Sequence, residues 1–341
     1  MAKKKAKRII VTRFSAMGDV ALLLPALHTV LETEPDAHIW LMTRPAFAPF
    51  FRDIPRLSIL EMDPKTAHRG ILGLWSLFQE TRKIKPTHWI DAHDVLRTQF
   101  LRLLAWLWRI PVGKIDKGRS EKKRWTRRSH KIRIPLQPTV ERYLDAFKQV
   151  GISVNGLVNR SSYFQKIPNS PKPVRQRLGI APFAQHTGKK WTQYPELIQL
   201  LLDHTSVEIW ILGGGHEERT QVQSWGFPED RVINTIGQYT LEDEIGWIHS
   251  LDLVLANDSS NLHLAALAGI PTLSIWGATH PDVGFGPWPK QKAHIIQISV
   301  DELACRPCSV FGNKPCFRGD YACLHQISAE SVLHKIKALL N

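Results

Sequence analysis

The residues best suited to chemistry stand in four clusters. The densest is Asn257-Asp258-Ser259-Ser260-Asn261-Leu262-His263. It follows an apolar, strand-like run over residues 253–256 and opens a helix-like run over 262–268. A helix beginning there presents unpaired backbone N–H groups and the positive end of its dipole. With Ser259 and Ser260 it suits an anion such as a diphosphate. His263, one turn in, could donate to the same phosphates. The same pattern also fits a helix capped by Asp258 or Ser259, with His263 in the core.

The second cluster is Ser15-Ala16-Met17-Gly18-Asp19, set between a β-branched run and a helical one. Gly18 permits a tight turn or a close approach to a ligand. A carboxylate at Asp19 could take a proton from an attacking hydroxyl as a general base; it could equally cap the helix start. The third is Lys189-Lys190-Trp191, after a polar loop over 185–188. A lysine there offers a compact positive charge to a diphosphate, although a surface lysine pair has the same spacing. The fourth is Gly213-Gly214-Gly215 with His216, Glu217 and Glu218 behind it. Glycines after a strand let a nucleotide approach, and a following carboxylate could hold ribose hydroxyls.

The elements that must position these clusters repeat as strand, turn, helix. Strands are predicted at 8–13, 38–42, 57–61 and 88–92, with a further short one at 132–135. Helices are predicted at 20–33, 71–84 and 95–108. Residues 165–173, polar and proline-rich, read as a linker. The alternation then restarts, with strands at 178–182, 207–212, 231–234, 253–256 and 271–276. Helices follow at 194–203, 241–250, 262–268 and 328–340. This order predicts an α/β fold of two doubly wound domains joined near residue 168, with ligands at the carboxyl ends of the strands. The glycine fingerprint of nicotinamide-cofactor domains is absent, which weighs against an oxidoreductase.

Bulk properties agree. Hydrophobic residues make 43% of the 341-residue chain and charged residues 22%, normal for a protein with a real core. No run reaches the ~18 apolar residues that span a bilayer; the run over 100–112 is interrupted by Arg102 and Arg109. The basic start is followed by a strand-like segment rather than an apolar secretory core, so a cytoplasmic location is expected. Lys plus Arg is 45 against 31 acids, a net charge of +14. Such an excess suggests a polyanionic partner. Nucleic acid would be expected to bring a helix-turn-helix or RNA-binding pattern, and neither is present.

Taken in order, Ser15 to Asp19, Lys189 to Trp191, and Asn257 to Ala266 followed by Pro271-Thr272-Leu273-Ser274-Ile275-Trp276-Gly277-Ala278-Thr279-His280-Pro281 resemble the heptosyltransferases, glycosyltransferase family nine. The resemblance runs over nearly the whole chain. It implies a GT-B fold: two Rossmann-like domains facing a cleft, residues 1–168 for the acceptor and 169–326 for the nucleotide sugar, with 327–341 crossing back to the first. It implies inverting transfer, without a metal or other cofactor, from ADP-L-glycero-D-manno-heptose to the inner core of lipopolysaccharide. Asp19 then matches the catalytic base and Lys189 the donor-phosphate lysine. Asp258, Ser259, Ser260 and His263 match the diphosphate loop. Met17, Gly18, Thr187, Gly213 and Glu217 (or Glu218) fall among the donor contacts. The usual pattern differs at Ser259-Ser260-Asn261, where many members carry Thr or Ser followed by Gly; the hydroxyls remain. The runner-up readings are a transferase of this fold with another nucleotide sugar, or a basic nucleic-acid-binding protein; a further one is a relative that only binds a sugar nucleotide. The chain contains no Asp-x-Asp, the metal-holding motif of another transferase architecture.

An anionic lipid-linked acceptor accounts for the charge. Lys65, Arg69, Arg119, Lys122, Lys123 and Arg124 are expected in loops of the first domain as acceptor contacts, because guanidinium and ammonium groups bind carboxylates and phosphates. The five cations within residues 1–8, with Trp106 and Trp108, could rest on the inner leaflet. All four cysteines lie between 305 and 323. Cys305-x-x-Cys308 is a zinc half-site spacing, but Cys316 and Cys323 complete it loosely, so no metal is assigned.

Overall fold

The structure, a computed structural model, describes residues 6–164 and 175–340. The predicted linker, the expected joint near residue 168 and most of the basic N-terminal run lie outside the described residues. The chain divides into two compact units: Met1–Lys117 with Thr139–Arg160, and Gly118–Pro138 with Ser161–Asn341.

The first unit is built on a parallel sheet in the order β3-β2-β1-β4-β5. Its strands are β1 (Lys7–Thr12), β2 (Ala37–Thr43), β3 (Leu57–Glu61), β4 (His88–Asp91) and β5 (Val112–Lys114). Ile9, Ile10 and Val11 of β1 are wholly buried, as a strand covered on both faces requires. Register places Ile10 between Trp40 and Trp89. The helices are α1 (Met17–Ala21), α2 (Leu24–Thr33), α3 (Gly70–Ile84) and α4 (Leu96–Leu107). Helix α5 (Arg119–Trp125) belongs to the second unit, and α6 (Thr139–Lys148) returns to the first. Below α3 and α4, Leu74, Leu77, Phe78, Leu101 and Leu104 pack with Ile10, Met42 and Trp89.

The helix expected over 20–33 is two helices. Pro25 has no N–H to continue α1, and it sits at the start of α2, where none is needed. The strand expected at 132–135 does not form; those residues join no sheet, Ile132 N donates to the Arg124 carbonyl at 3.3 Å, and the Ile134 carbonyl accepts from Trp125 Nε1 at 2.7 Å. Strand β5 and helices α5 and α6 were not among the expected elements, although α6 buries a regular apolar side of Val140, Tyr143, Leu144 and Phe147.

The second unit holds a parallel sheet in the order β11-β10-β9-β6-β7-β8. Its strands are β6 (Arg177–Ala181), β7 (Glu208–Ile211), β8 (Val232–Asn234), β9 (Leu253–Asn257), β10 (Thr272–Ile275) and β11 (Ala293–Ile296). The remaining helices are α7 (Tyr194–His204), α8 (His216–Gln223), α9 (Leu241–Trp247), α10 (Ser260–Leu267), α11 (Ala322–His325) and α12 (Ala329–Leu340). A capping box fixes the start of α9: Thr240 Oγ1 accepts from Asp243 N while the Asp243 carboxylate accepts from Thr240 N. Helix α12 lies on α7 and β9, burying Val332 and Ile336 in the core of this unit.

Candidate active site

In the second unit the strand order reverses between β9 and β6, whose ends pair through Ala181 and Ala256. Open parallel sheets take ligands at such a reversal, beyond the carboxyl ends of the strands. Two loops leave the sheet there. One runs from β6 through a 3-10 turn, Thr187–Lys189; the other runs from β9 through Asp258 and Ser259 into α10. Buried Asn257 ties them together, donating to the Pro182 carbonyl at 2.8 Å and accepting from Trp191 N at 3.4 Å. The buried Trp191 indole donates to the Ile327 carbonyl at 2.8 Å.

This frame delivers Lys189 Nζ to Asp258 Oδ2 at 2.9 Å. The lysine stem crosses Gly312, where an added Cβ would sit 2.6 Å from Lys189 Cγ. Gly188 is equally constrained: a Cβ there would meet the Gly312 carbonyl at 2.8 Å and Ala278 Cβ at 2.9 Å. Neither glycine was singled out from the sequence, because what each makes room for lies far away along the chain.

Ser259 takes the N-cap position of α10 in extended conformation, with no side-chain hydrogen bond to the helix. Asp258 directs its carboxylate to Lys189 instead. The side-chain caps that spacing allowed are therefore not made. Ser259 Oγ is buried and has no hydrogen-bond partner, a costly state for a hydroxyl unless a ligand satisfies it. Ser260 opens the helix half-buried, and His263 is buried in its first turn. At the end of the neighbouring strand β7, Glu218 Oε2 accepts from Gly214 N at 2.8 Å. Glu218 thus shapes the glycine loop, which passes half-buried Gly213, while Glu217 and Thr187 stand exposed.

The first unit has its own reversal, between β1 and β4. Asp19 is the third residue of α1, whose N-cap is Ala16. Its carboxylate pairs with the guanidinium of buried Arg13 rather than with the helix start. Arg13 is itself held, donating from Nη1 to the Ala92 carbonyl at 2.8 Å. The Tyr143 hydroxyl donates to the Asp19 carbonyl at 2.9 Å. The carboxylate keeps 28% of its side-chain surface exposed, so it is oriented and still reachable. Met17 beside it is half-buried and Gly18 buried.

Sequence reasoning missed the partners of this site. Buried Asp91 accepts from His93 N at 3.0 Å, Asp94 N at 2.8 Å and Arg102 Nη1 at 3.0 Å. His93 Nδ1 accepts from Phe14 N at 3.3 Å, and its Nε2 meets Ser15 Oγ at 3.4 Å. Burial, then the charges of Arg13, Lys117 and Arg44, push the His93 pKa down to about 3. The ring is therefore neutral, in a cationic field suited to an anion. The available signal was Asp91-Ala92-His93-Asp94, polar residues at the very end of an apolar strand.

Of the expected acceptor residues, Lys65 lies in an exposed turn and Arg69 is the exposed residue preceding α3. Arg119, Lys122 and Arg124 stand on helix α5 of the second unit, not in loops of the first. The basic run over 119–125 is amphipathic: Trp125 is buried against the His280 ring, and buried Lys122 places its ammonium 4.0 Å from the Phe285 ring centre. The four cysteines are reduced and line one cleft with Arg306 and Tyr321. Burial and the neighbouring thiols raise the pKa values of Cys308 and Cys323, the latter to about 12. Among the described residues no three His, Cys, Asp or Glu side chains are arranged to hold a metal.

Comparison with known proteins bears on these sites. Residues 77–313 match the model of glycosyltransferase family 9 (heptosyltransferase). The lipopolysaccharide core heptosyltransferase OpsX of Haemophilus influenzae is 24% identical, over 81% of this chain and 80% of that protein. Lipooligosaccharide heptosyltransferase 2 of Campylobacter jejuni is 24% identical, over 95% and 96%. Among solved structures, a family 9 glycosyltransferase from Veillonella parvula superposes with a TM-score of 0.73 at 19% identity, covering 99% and 98% of the two chains. The heptosyltransferase WaaC of E. coli with ADP gives 0.70 at 19%, covering 97% and 99%. The fold is accordingly α/β of the GT-B type.

Proposed function

Because the chain belongs to glycosyltransferase family 9, the heptosyltransferases, we propose that it moves heptose from ADP-heptose to the inner core of lipopolysaccharide with inversion at the anomeric carbon. An acceptor hydroxyl oxygen forms the new bond to the anomeric carbon. The bond from that carbon to the ADP oxygen breaks, and its electron pair leaves with the diphosphate. Asp19 takes the hydroxyl proton, and Arg13 holds the carboxylate in place. Lys189 and the start of α10 at Ser259 and Ser260 stabilise charge gathering on ADP, with His263 in the same turn. Gly213 and Glu217 serve the ribose side; Met17, Gly18 and Thr187 complete the donor contacts.

The observation that carries this reading is a lysine fixed by an aspartate directly before a helix start whose buried serine hydroxyl has no partner. Anion binding is what such an arrangement does best. No metal is assigned a role. The phosphates and acidic sugars of a lipid A core fit the net charge of +14, with exposed Lys65, Arg69, Arg119 and Arg124 as acceptor contacts. We place the protein in the cytoplasm, at the periphery of the inner membrane, and assign it no nucleic-acid partner. ADP release from ADP-heptose in the presence of purified heptose-deficient acceptor tests the proposal. Release that tracks acceptor concentration is expected; none above an Asp19→Ala control would overturn it.

A further inference from the structure

The outer side of helices α3 and α4 is apolar where the solvent side of a helix packed on a sheet calls for polar residues. Among the described residues fourteen large hydrophobic side chains are exposed, and eight of them stand on these two helices or on Trp108, which ends α4. Leu72 and Leu96 are each 84% exposed and Trp106 65%. The inner sides of the same helices already supply the core beneath them, through Leu74, Leu77, Phe78, Leu101 and Leu104. The exposed residues are therefore a second apolar surface. The helices pack on each other, and Trp75 and Trp108 meet edge to face at 5.7 Å, so the surface continues from one to the other.

Charge says what covers it. The exposed charged residues on the helices and their ends are Arg69, Arg82, Lys83, Lys85, Arg97 and Arg109, against the single acid Glu80. The Arg82 guanidinium lies 5.3 Å from the Trp108 ring centre, beside the apolar surface. Leucines and tryptophans surrounded by cations describe an interfacial surface for anionic lipid: apolar side chains enter the headgroup boundary while Arg and Lys meet phosphates. A protein partner recognising the same charge would have to be acidic. No helix among the described residues is long and apolar enough to cross a membrane, so this surface would lie on the bilayer rather than span it.

We infer that the α3–α4 face docks the protein on an anionic membrane surface. This extends the reading of a lipid-linked acceptor, and the test separates the two. Flotation of the full chain is measured with vesicles of phosphatidylethanolamine and phosphatidylglycerol, and with phosphatidylcholine alone. Neither donor nor acceptor is added. Binding to the anionic vesicles is expected, and little to phosphatidylcholine. Leu72→Gln with Trp106→Gln should cut the partition coefficient by about tenfold or more. Lys83→Gln and Arg97→Gln should each cut it about fivefold. Circular dichroism melting checks that every variant is folded. Turnover on a de-acylated, water-soluble core acceptor should be unchanged by these substitutions; failure of that assay in the wild type would count against the transferase reading alone. No flotation of the wild type, or flotation unaffected by the variants, would overturn the docking inference. Dimerisation through this face, abolished by the same variants without vesicle binding, would assign it to a second copy instead.

Discussion

Lys189 and Asp258, sixty-nine positions apart in sequence, meet at 2.9 Å where two adjacent strands of one sheet end. The pair ties a positive charge to the residue that precedes Ser259 and the start of α10. An ammonium held in this way loses little side-chain freedom when an anion arrives, which is how preorganisation raises affinity.

The first prediction concerns that charge. Lys189→Ala should weaken ADP binding by about 1.5–3 kcal/mol, the range for a charge-assisted hydrogen bond. Asp258→Ala should also weaken it, because the lysine loses its anchor. Calorimetric titration with ADP measures both. Unchanged affinity in Lys189→Ala would remove the lysine from the site.

Gly312→Ala tests the path of the lysine stem. The backbone there has φ +74, and a Cβ would press on Lys189 Cγ at 2.6 Å. The substitution should cost about 1–3 kcal/mol of stability and also raise the Kd for ADP. A loss of stability with normal ADP affinity would show that Lys189 is not displaced, or does not matter.

Ser259→Ala should separate binding from folding. Its hydroxyl is buried without a protein partner, so removing it should leave the melting temperature equal or slightly raised. ADP affinity should fall. A drop in melting temperature would mean that the hydroxyl has a structural role.

Much of this was legible from the sequence, and what was missed has a common cause. Apolar runs such as 253–256 and 8–13 announced their strands because both faces of a parallel strand are buried. The turns after them announced the sites because ligand loops follow such strands. What escaped was anything settled by contacts across the chain. Arg13 is an unremarkable cation until it meets Asp19 and the Ala92 carbonyl. Gly188 and Gly312 look like ordinary turn residues until each is found to make room for the other's segment. The run over 119–125 reads as a basic loop because its apolar side rests mainly on Trp125 and the stem of Lys122.

Stability should fall with acidification. Burial is the largest cause holding the pKa of His28 at about 4, His93 at about 3 and His280 at about 4. Unfolding restores the ordinary value near 6.5, so below it the unfolded chain binds more protons than the folded one. The stabilisation is therefore complete above about pH 6.5 and is lost as the pH falls toward these folded values. Half-buried Glu244, raised to about 7 by desolvation, acts in the opposite sense: its contribution is lost as the pH rises from about 4.5 to 7. Melting followed from pH 7.5 to 4.5 should show a shallower decline in His93→Gln than in the wild type. Parallel curves would contradict the assignment.

Asp19→Asn keeps the shape of the side chain and an oxygen for Arg13 but removes the base. Turnover should fall about 10²- to 10⁴-fold, with ADP affinity unchanged. Arg13→Met should lower turnover as well, through lost orientation, again without changing the Kd for ADP. Activity near that of the wild type in Asp19→Asn would assign the proton to another group.

The central claim is that the leaving diphosphate is held by Lys189 and the start of α10. A crystal structure of the complex with ADP tests it directly. The account predicts phosphate oxygens within hydrogen-bonding distance of Lys189 Nζ, Ser259 Oγ and the first backbone N–H groups of α10. Phosphates bound away from all three would contradict it.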